Sequence, residues 1–401
     1  MNVRGFGWFG LFAATSVCSA SSSSAPAPPA LPALNLSWTN ASTLTVGGRG
    51  FNGTATFWER LPSAANGTVN GGVYGLSKDS AGMSVRFKSS AETIGVRYRL
   101  ISPQIDMWHM PSTGMSGADL YVFDGGNATW RWVATYKVVE CGSLCLPYVA
   151  SSVSFPRALR PPGFGREVRY KLHLPTYNGI ADGSLEIGTE PSSGSTVAPD
   201  SPDTVRPIAW YGTSIAQGCC ASRPGQIFTN QISRRLRPSR DVINLGFSGS
   251  GIMDPGVTTF LATLDTALIV IDCSWNMSPT AISARAPVLV AYLRAHGHPK
   301  TPIVLVEGTT GGQQWISNSS EPGTQSEPIG GIDEPSNRVA LKSAFDGIVA
   351  KTKDANLHYV DGDALYHHTA GQTARAWLDF EDPTVGGIHP TDLGHTQVTR
   401  A

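Results

Sequence analysis

The sequence lacks an excess of charge of either sign. Its 401 residues include 30 basic and 30 acidic side chains, so the formal net charge at pH 7 is zero. A neutral chain has no overall field that would attract nucleic acid or an anionic membrane surface. One basic stretch, residues 233–240, is a local exception, and we interpret it as the solvated end of a helix rather than as a phosphate-binding patch. The composition therefore predicts no nucleic-acid partner.

Long hydrophobic runs are missing beyond the amino terminus. No later stretch approaches the roughly 20 apolar residues that a membrane-spanning helix needs. Residues 1–20 hold Arg4, then an apolar stretch, then the small residues Cys18-Ser19-Ala20, an order typical of a cleaved signal peptide. We therefore expect a secreted protein without stable membrane insertion. Asn-x-Ser/Thr sequons agree with a secretory route and occur at Asn35, Asn40, Asn52, Asn66, Asn127, Asn276 and Asn318.

Cysteine is scarce, with six residues in the whole chain. Once Cys18 is removed with the signal peptide, an odd number remains, so at least one thiol is unpaired or joins another chain. Cys141 and Cys145 are close enough for a local disulfide, and Cys220 with Cys273 is a second pairing that the sequence cannot decide. No Cys/His quartet has zinc-finger spacing and no His-Glu-x-x-His occurs, so we predict no metal site.

Nucleotide-binding motifs are also absent. The chain has no Gly-x-Gly-x-x-Gly after a first strand and no Walker-type loop. We therefore expect no cofactor.

Four regions of the chain differ in sequence pattern. Residues 21–43 are rich in Ser, Pro and Ala and predict a disordered spacer. Residues 44–190 contain short alternating apolar and polar segments between Gly, Asn and Ser, which predicts an all-β sandwich. Residues 191–204 are polar and predict a linker. In residues 205–401 short apolar runs alternate with helical stretches, which predicts an α/β domain with a parallel sheet between two helical layers.

Residues that could take part in catalysis follow the apolar runs of the last region. Ser214 comes directly after the first run, Gly249 after the second and Asn276 after the third, whereas His389 lies near the carboxyl terminus. Ligands of parallel α/β sheets bind beyond the carboxyl ends of the strands. A serine needs a base to become a nucleophile, and the oxyanion that it generates needs preorganised donors. This set therefore favours acyl transfer. The alternatives are a helix cap for Ser214 and a glycosylated sequon at Asn276, where a glycan would block the pocket.

The segments around these residues resemble, in order, the blocks of the SGNH (GDSL-like) esterase superfamily. "YGTSIAQGCCASRPG" is similar to the block of a subgroup that has Gly-Thr-Ser in place of Gly-Asp-Ser, and "MSGADLYVFDGG" is similar to the Gly-x-Asp-Leu-Tyr motif of the β domain preceding that subgroup's catalytic domain. The resemblance implies an SGNH/flavodoxin-like α/β domain after a jelly-roll-like β-sandwich. We expect Asp119 and Tyr121 of this motif to hold the β domain against the second domain rather than to touch substrate.

The activity implied by this resemblance is ester hydrolysis. We expect removal of a small acyl group, O-acetyl above all, from a carbohydrate or related ester. Hydrolysis of lipid or small-molecule esters is one alternative, and a catalytically weakened binding protein is another.

The resemblance also gives each site residue a role. Ser214 would be the nucleophile and would offer its backbone N–H to the oxyanion hole. Gly249 would give a second backbone N–H, and Asn276 a side-chain amide. His389 would act first as the general base and then as the acid for the leaving group.

The residue that orients the histidine is the departure from the family pattern. An Asp usually stands three residues before the His, and Gly386 occupies that position here. We favour a Ser214–His389 dyad in which the ring Nδ1–H donates to a backbone carbonyl. A relocated acid, Glu381 or Asp382, is the second alternative, and a weakened or inactive site is the third. His367, His368 and His395 fit loop or helix-surface positions and receive no catalytic role.

Overall fold

The structure is a computed structural model, and it describes residues 34–140, 146–160, 167–191, 194–308, 334–365, 384–385 and 388–400. Several predictions concern residues outside these ranges: the signal peptide at 1–20, the Cys141–Cys145 pairing, the pair His367-His368, the relocated acids Glu381 and Asp382, and Gly386.

The amino-terminal part consists of two antiparallel sheets. Its strands are β1 (Ser37–Asn40), β2 (Thr45–Gly47), β3 (Ser84–Ser89), β4 (Thr93–Arg99), β5 (Ala118–Asp124), β6 (Thr129–Tyr136), β7 (Tyr148–Ser154), β8 (Val168–His173), β9 (Glu186–Thr189) and β10 (Val197–Pro199), and its short helices are α1 (Gly71–Leu76) and α2 (Ser112–Met115). One sheet has the order β1-β9-β4-β7 and the other β10-β3-β8-β5-β6, with β2 paired to β3. Apolar side chains of both sheets, including Phe87, Val96 and Leu172, form one buried core. The predicted β-sandwich is confirmed.

The sandwich extends beyond the boundaries expected from the sequence. β1 lies inside the predicted spacer 21–43, yet it pairs with β9, and its Trp38 ring lies under the guanidinium of Arg97. β10 lies inside the predicted linker 191–204 and pairs with β3. Both are short edge strands, whose formation depends on a partner strand rather than on local composition.

The carboxyl-terminal part is a parallel sheet between helices. Its strands are β11 (Ile208–Gly212), β12 (Val242–Gly246), β13 (Leu268–Asp272), β14 (Ile303–Val306) and β15 (Leu357–Val360), with a separate antiparallel pair β16 (Thr384–Val385) and β17 (His389–Pro390). Its helices are α3 (Ser214–Gln217), α4 (Phe228–Arg235), α5 (Pro255–Leu261), α6 (Pro279–Ala295), α7 (Glu334–Thr352) and α8 (Asp392–Arg400).

The central strand β11 is covered on both faces. Ala209 and Tyr211 pack into the core formed with α5, α6 and α7, whereas Ile208 and Trp210 pack on the side of α4 and α8. Such two-sided burial explains the continuous apolar runs of these strands. The strand order β12-β11-β13-β14-β15 is that of flavodoxin-like sheets, in which the chain reverses direction beside the first strand. The predicted three-layer α/β domain is confirmed, and its ligand crevice is expected at the carboxyl end of β11.

The two parts meet at a buried polar contact. The Asp119 carboxylate accepts hydrogen bonds from Arg223 Nη1 at 2.7 Å and from the Gly225 N–H at 2.8 Å, and Tyr121 Oη lies 2.8 Å from the same Arg223 nitrogen. A Cβ on Gly225 would lie 2.3 Å from Tyr121 Oη, so this close approach requires glycine. Asp119 and Tyr121 therefore join the two domains, as expected.

The basic stretch 233–240 is only partly a solvated helix end. Ser233 is buried and accepts a hydrogen bond from Lys171 Nζ at 2.7 Å. The Arg234 guanidinium donates to the Gly225 carbonyl at 2.6 Å and lies 4.0 Å from the centre of the Tyr121 ring. The first two residues of the stretch thus belong to the domain contact, because their side chains project from α4 toward the sandwich.

The cysteine pairing considered from the sequence is wrong. Cys219, Cys220 and Cys273 are buried free thiols, so the Cys220–Cys273 disulfide is not formed. Cys273 packs in the core of the α/β domain, whereas Cys220 lies in a small cluster with Met110 and Met115, and this separation explains the result. Across the described ranges, no helix combines the length and apolar character that crossing a bilayer requires.

Candidate active site

Ser214 lies in the sharp turn between β11 and α3. It is the first residue of α3 and is 8% exposed. The helix is capped by Thr213, whose hydroxyl accepts from the Ile215 N–H at 3.3 Å, so Ser214 is not the helix cap. At the first helical position the Ser214 N–H has no acceptor within the helix. Its hydroxyl and its N–H are both available to a ligand.

His389 reaches this serine from a distant part of the chain. Its Nε2 lies 2.9 Å from Ser214 Oγ, although 175 residues separate the two in sequence. β17 carries His389 and pairs with β16, and the following Pro390 accepts from the Cys220 N–H at 2.9 Å. The start of α8 is fixed nearby by Asp392, which accepts from the Ser222 N–H at 2.8 Å. The structure thus brings the predicted nucleophile and base together.

The His389 ring is neutral around neutral pH. Burial, and then the charge of nearby His109, lower the pKa of His389 to about 4. A neutral imidazole keeps one nitrogen lone pair that can accept a proton. Within the described residues, the hydrogen bond of this ring is the one to Ser214. Gly386, Glu381 and Asp382, on which the predictions about the orienting group depend, lie outside them.

The three predicted oxyanion donors follow neighbouring strands. In the sheet register Gly212, the last residue of β11, pairs with Gly246 of β12 and with Asp272 of β13, so these strands end at the same edge. Ser214, Gly249 and Asn276 come two, three and four residues beyond those ends. The predicted donors therefore share the carboxyl edge of the sheet with His389.

The loops that carry Gly249 and Asn276 are tied together. Asn276 Oδ1 accepts from the Gly251 N–H at 3.3 Å, which leaves its amide N–H₂ to donate elsewhere. Gly249 has φ +66°, a conformation that favours glycine. A Cβ on Gly251 would lie 2.1 Å from the Gly212 carbonyl, so this loop packs directly against the turn that holds Ser214.

Residues of the β domain complete the surroundings of the serine, and no sequence pattern predicted them. Tyr177 Oη donates to the Ser214 carbonyl at 3.1 Å. Gln217 of α3 donates to Asp79 at 2.9 Å and accepts from the Ser248 N–H at 2.9 Å. No motif in a single sequence marks Tyr177 or Asp79, because their loops reach the site only through the domain contact.

A second group of side chains adjoins His389. The His109 and His389 rings have centres 5.6 Å apart, and the ring of Trp108, which is 88% exposed, has its centre 4.4 Å from that of His109. The potential ligand atoms of His109, Cys219, Cys220 and His389 all lie within 4.8 Å of one another. The spacing rules that predicted no metal site could not detect this group, since its members come from three separate segments.

His395 does not occupy the helix-surface position that the sequence suggested. It is fully buried in α8, its Nδ1 accepts from the Phe228 N–H at 3.3 Å, and its ring stacks on the Phe228 ring at 5.8 Å. Burial lowers the pKa of His395 to about 3. It packs α8 against α4 as a neutral core residue.

Comparison with known families agrees with the fold and with the motifs. Residues 205–401 match the GDSL-like lipase/acylhydrolase family, and residues 36–194 match the GxDLY domain, described as the N-terminus of SGNH-hydrolase-type esterases. No curated protein matches the chain in sequence.

Solved structures with a similar fold cover nearly the whole chain. One is a GDSL-like lipase-type protein from Bacteroides ovatus ATCC 8483, with 24% identity and a TM-score of 0.72 over 91% of this chain and 95% of that one. Another is the salicylyl-acyltransferase SsfX3 of a tetracycline biosynthetic pathway, with 19% identity and a TM-score of 0.65 over 92% and 96%. At these identities the likeness shows a shared fold. With both family matches and this architecture, the chain is a member of the GDSL-like (SGNH) hydrolases that carry a GxDLY amino-terminal domain, a family of carboxylic ester hydrolases.

Proposed function

We propose that this protein is a secreted serine esterase in which Ser214 and His389 act as a catalytic dyad. The observation that supports it most directly is the 2.9 Å contact between Ser214 Oγ and His389 Nε2 at the carboxyl edge of the sheet. This distance lies within the range that proton transfer between a nucleophile and its base requires.

The reaction follows from the geometry. His389 Nε2 accepts the Ser214 proton as Oγ attacks the ester carbonyl, and the oxyanion receives hydrogen bonds from the N–H groups of Ser214 and Gly249 and from the Asn276 amide. Collapse of this intermediate expels the alcohol, which takes the proton from His389, and leaves an acyl group on Ser214. Water then repeats both steps and releases the acid.

The dyad in this proposal uses a neutral acceptor for His389 Nδ1–H, since Gly386 offers no carboxylate. A backbone carbonyl fixes the tautomer as well as an aspartate does, but it stabilises the imidazolium less. The low pKa of His389, about 4, likewise means that the imidazolium formed beside the intermediate is weakly stabilised. We therefore expect a modest turnover rate from an intact site.

The substrate we propose is an O-acetylated carbohydrate. Trp108 supports this, because its indole is exposed to solvent and is linked through His109 to the His389 ring. Aromatic faces exposed beside a reacting centre provide apolar area on which a sugar ring can stack. Ser214 itself is nearly buried, which suits a small acyl group better than a long chain.

The nucleophile is tested by Ser214→Ala. We expect acetate release from p-nitrophenyl acetate to fall by about 10³-fold or more. The serine, the histidine and the oxyanion donors act as a unit, so removing the nucleophile removes most of the rate enhancement that they give together. Ser201→Ala, at an exposed serine of the segment joining the domains, is the matched control. A folded Ser214→Ala protein that retained the parental rate would contradict the proposal.

The substrate class is tested separately with Trp108→Ala on a panel of acetylated polysaccharides. We expect KM for the polymer to rise about tenfold, a loss equal to one aromatic stacking contact, while the rate on p-nitrophenyl acetate stays at the parental value. Trp132→Ala removes another exposed indole, in β6, and serves as the control. Equal effects on the polymer and the small ester would argue against a sugar platform at Trp108.

Secretion is tested by expression of the full chain in a eukaryotic host. We expect the protein in the medium with an amino terminus close to residue 21. Retention in the cell with Met1 intact would contradict this part of the proposal.

A further inference from the structure

We propose that His109, Cys219, Cys220 and His389 form a binding site for a thiophilic cation, with Zn²⁺ as the fitting ion. Resting on the proposed function, we further infer that bound zinc and ester hydrolysis exclude each other, because both need His389.

The donor set and its spacing fit zinc. Two sulfur and two imidazole ligands are a common tetrahedral set, with bonds of about 2.3 Å to sulfur and about 2.0 Å to nitrogen. Such bonds place the ligand atoms roughly 3.3–3.8 Å apart. The four groups already lie within 4.8 Å of one another, so side-chain adjustments of about 1 Å would complete the shell.

An unsatisfied ring nitrogen points independently to a ligand. The Nδ1 atom of His109 is buried and has no hydrogen-bond partner among the described residues. A buried polar atom without a partner costs free energy that a bound ion would recover. The neighbouring Cys219 and Cys220 are free thiols, so neither sulfur is held in a disulfide.

The backbone holds each ligand in place. The Cys219 N–H donates to the Ser214 carbonyl at 3.0 Å, and the Cys220 N–H donates to the Pro390 carbonyl at 2.9 Å, next to His389. His109 lies in a tight turn closed by hydrogen bonds between Met107 and Met110. A site built on such fixed segments needs little ordering when the ion binds.

The surroundings favour a soft cation over a hard one. The side chains of Met107, Met110, Met115 and Val385 pack around the two cysteines. Sulfur and imidazole ligands in an apolar shell select zinc or copper rather than calcium or magnesium. Two thiolates would balance the charge of Zn²⁺ within this shell.

The exclusion follows from the single lone pair of a neutral imidazole. Whichever nitrogen of His389 binds zinc, the other nitrogen carries the hydrogen and acts as a donor. His389 then has no lone pair with which to accept the Ser214 proton. Zinc-loaded protein should therefore hydrolyse esters far more slowly than metal-free protein.

Binding is tested on the full-length reduced protein, stripped with EDTA, with Co²⁺ as the spectroscopic probe and Zn²⁺ in equilibrium dialysis. We expect one ion per chain, a sulfur-to-cobalt charge-transfer band and its loss when zinc displaces cobalt. His109→Ala and Cys220→Ser should each weaken zinc binding by at least about 100-fold, more than the loss of an outer-shell partner typically costs.

Control variants separate this site from adventitious binding. Cys273→Ser removes a buried free thiol outside the cluster, and His358→Ala removes an exposed histidine, so both should bind zinc like the parent. In the unmodified chain, the stoichiometry of one ion and the sulfur-to-cobalt band are read directly, so these two results need no variant to fold. Absence of the charge-transfer band, or unchanged zinc binding in both ligand variants, would overturn the site.

The exclusion is tested by comparing hydrolysis before and after one equivalent of zinc. Loss of the rate, restored by EDTA, supports it, whereas a zinc-loaded protein that hydrolyses at its metal-free rate overturns it. Ser214→Ala should bind zinc like the parent. If the unmodified protein binds zinc in this manner but hydrolyses no ester, the zinc site is supported and the proposed esterase function is contradicted.

Discussion

Each residue of the candidate site has its own local reason for its position. Thr213 caps α3 and thereby leaves the Ser214 hydroxyl free to meet His389. Asn276 is held by its oxygen through the Gly251 N–H, so its amide hydrogens face away from that contact. Preorganisation of this kind means that the donors need no rearrangement when charge develops on the substrate.

Asn276 offers a test of the oxyanion site at this scale. Asn276→Asp keeps the oxygen that accepts from Gly251 but replaces the donating amide with a negative charge. We expect kcat to fall by about 10²–10³-fold, the usual cost of losing one oxyanion donor, with the melting temperature close to that of the parent.

The glycosylated-sequon alternative for Asn276 is checked with Ser278→Asn. This change removes the sequon and preserves a capping side chain for α6, whose first turn is capped by Ser278. Full activity is expected. Complete glycan occupancy of Asn276 in active parental protein, found by peptide mapping, would rule out the oxyanion role.

At the scale of elements, the sequence predicted well what depends on local pattern. The apolar runs of β11, β12 and β13 are buried on both faces, and a serine directly after β11 had to lie at the carboxyl edge of the sheet. The edge strands β1 and β10 were missed because only their partners make them strands. The cluster around His109 was missed for the same kind of reason, since tertiary folding alone brings its three segments together.

Asp272, at the carboxyl end of β13, should make the stability of the folded protein depend on pH. Burial raises the pKa of Asp272 to about 7, and the Trp210 Nε1–H that lies 3.4 Å from its carboxylate offsets this only in part. Because the folded pKa exceeds the unfolded one, the protein binds this proton more tightly when folded, and stability falls as the pH rises from about 4 to about 7. The full effect is of the order of 4 kcal/mol at most.

Asp272→Asn should flatten this profile. The variant has no carboxyl to ionise at this position, so its melting temperature should exceed that of the parent by a margin that grows between about pH 4 and about pH 7. Some dependence should remain, since burial also raises the pKa of Asp79 to about 7. Asp265→Asn, at an exposed position, should melt in parallel with the parent. An Asp272→Asn profile parallel to the parent's would contradict a buried ionisation at β13.

At the scale of the whole molecule, the β domain is part of the site rather than an appendage. Tyr177 binds the carbonyl of Ser214, and Asp79 binds Gln217 in the same short helix. Arg60, also from the β domain, donates to the Gly246 carbonyl at the end of β12. The position of the nucleophile therefore depends on the contact between the two domains.

Asp119→Ala tests that dependence. The substitution leaves the Arg223 guanidinium and the buried Gly225 N–H without their carboxylate, and removal of one partner from such a largely buried pair costs about 3 kcal/mol. Arg223 and Gly225 lie in the segment that leads from α3 to α4, so their displacement should disturb Ser214 as well. We expect a lower melting temperature together with a fall in kcat on p-nitrophenyl acetate at a temperature where the variant is still folded.

Asp124→Asn, in the same strand, alters a carboxylate whose partner Arg131 is half exposed and should leave kcat at the parental value. If Asp119→Ala melted earlier yet kept the parental kcat, the domain contact would stabilise the fold without positioning the nucleophile.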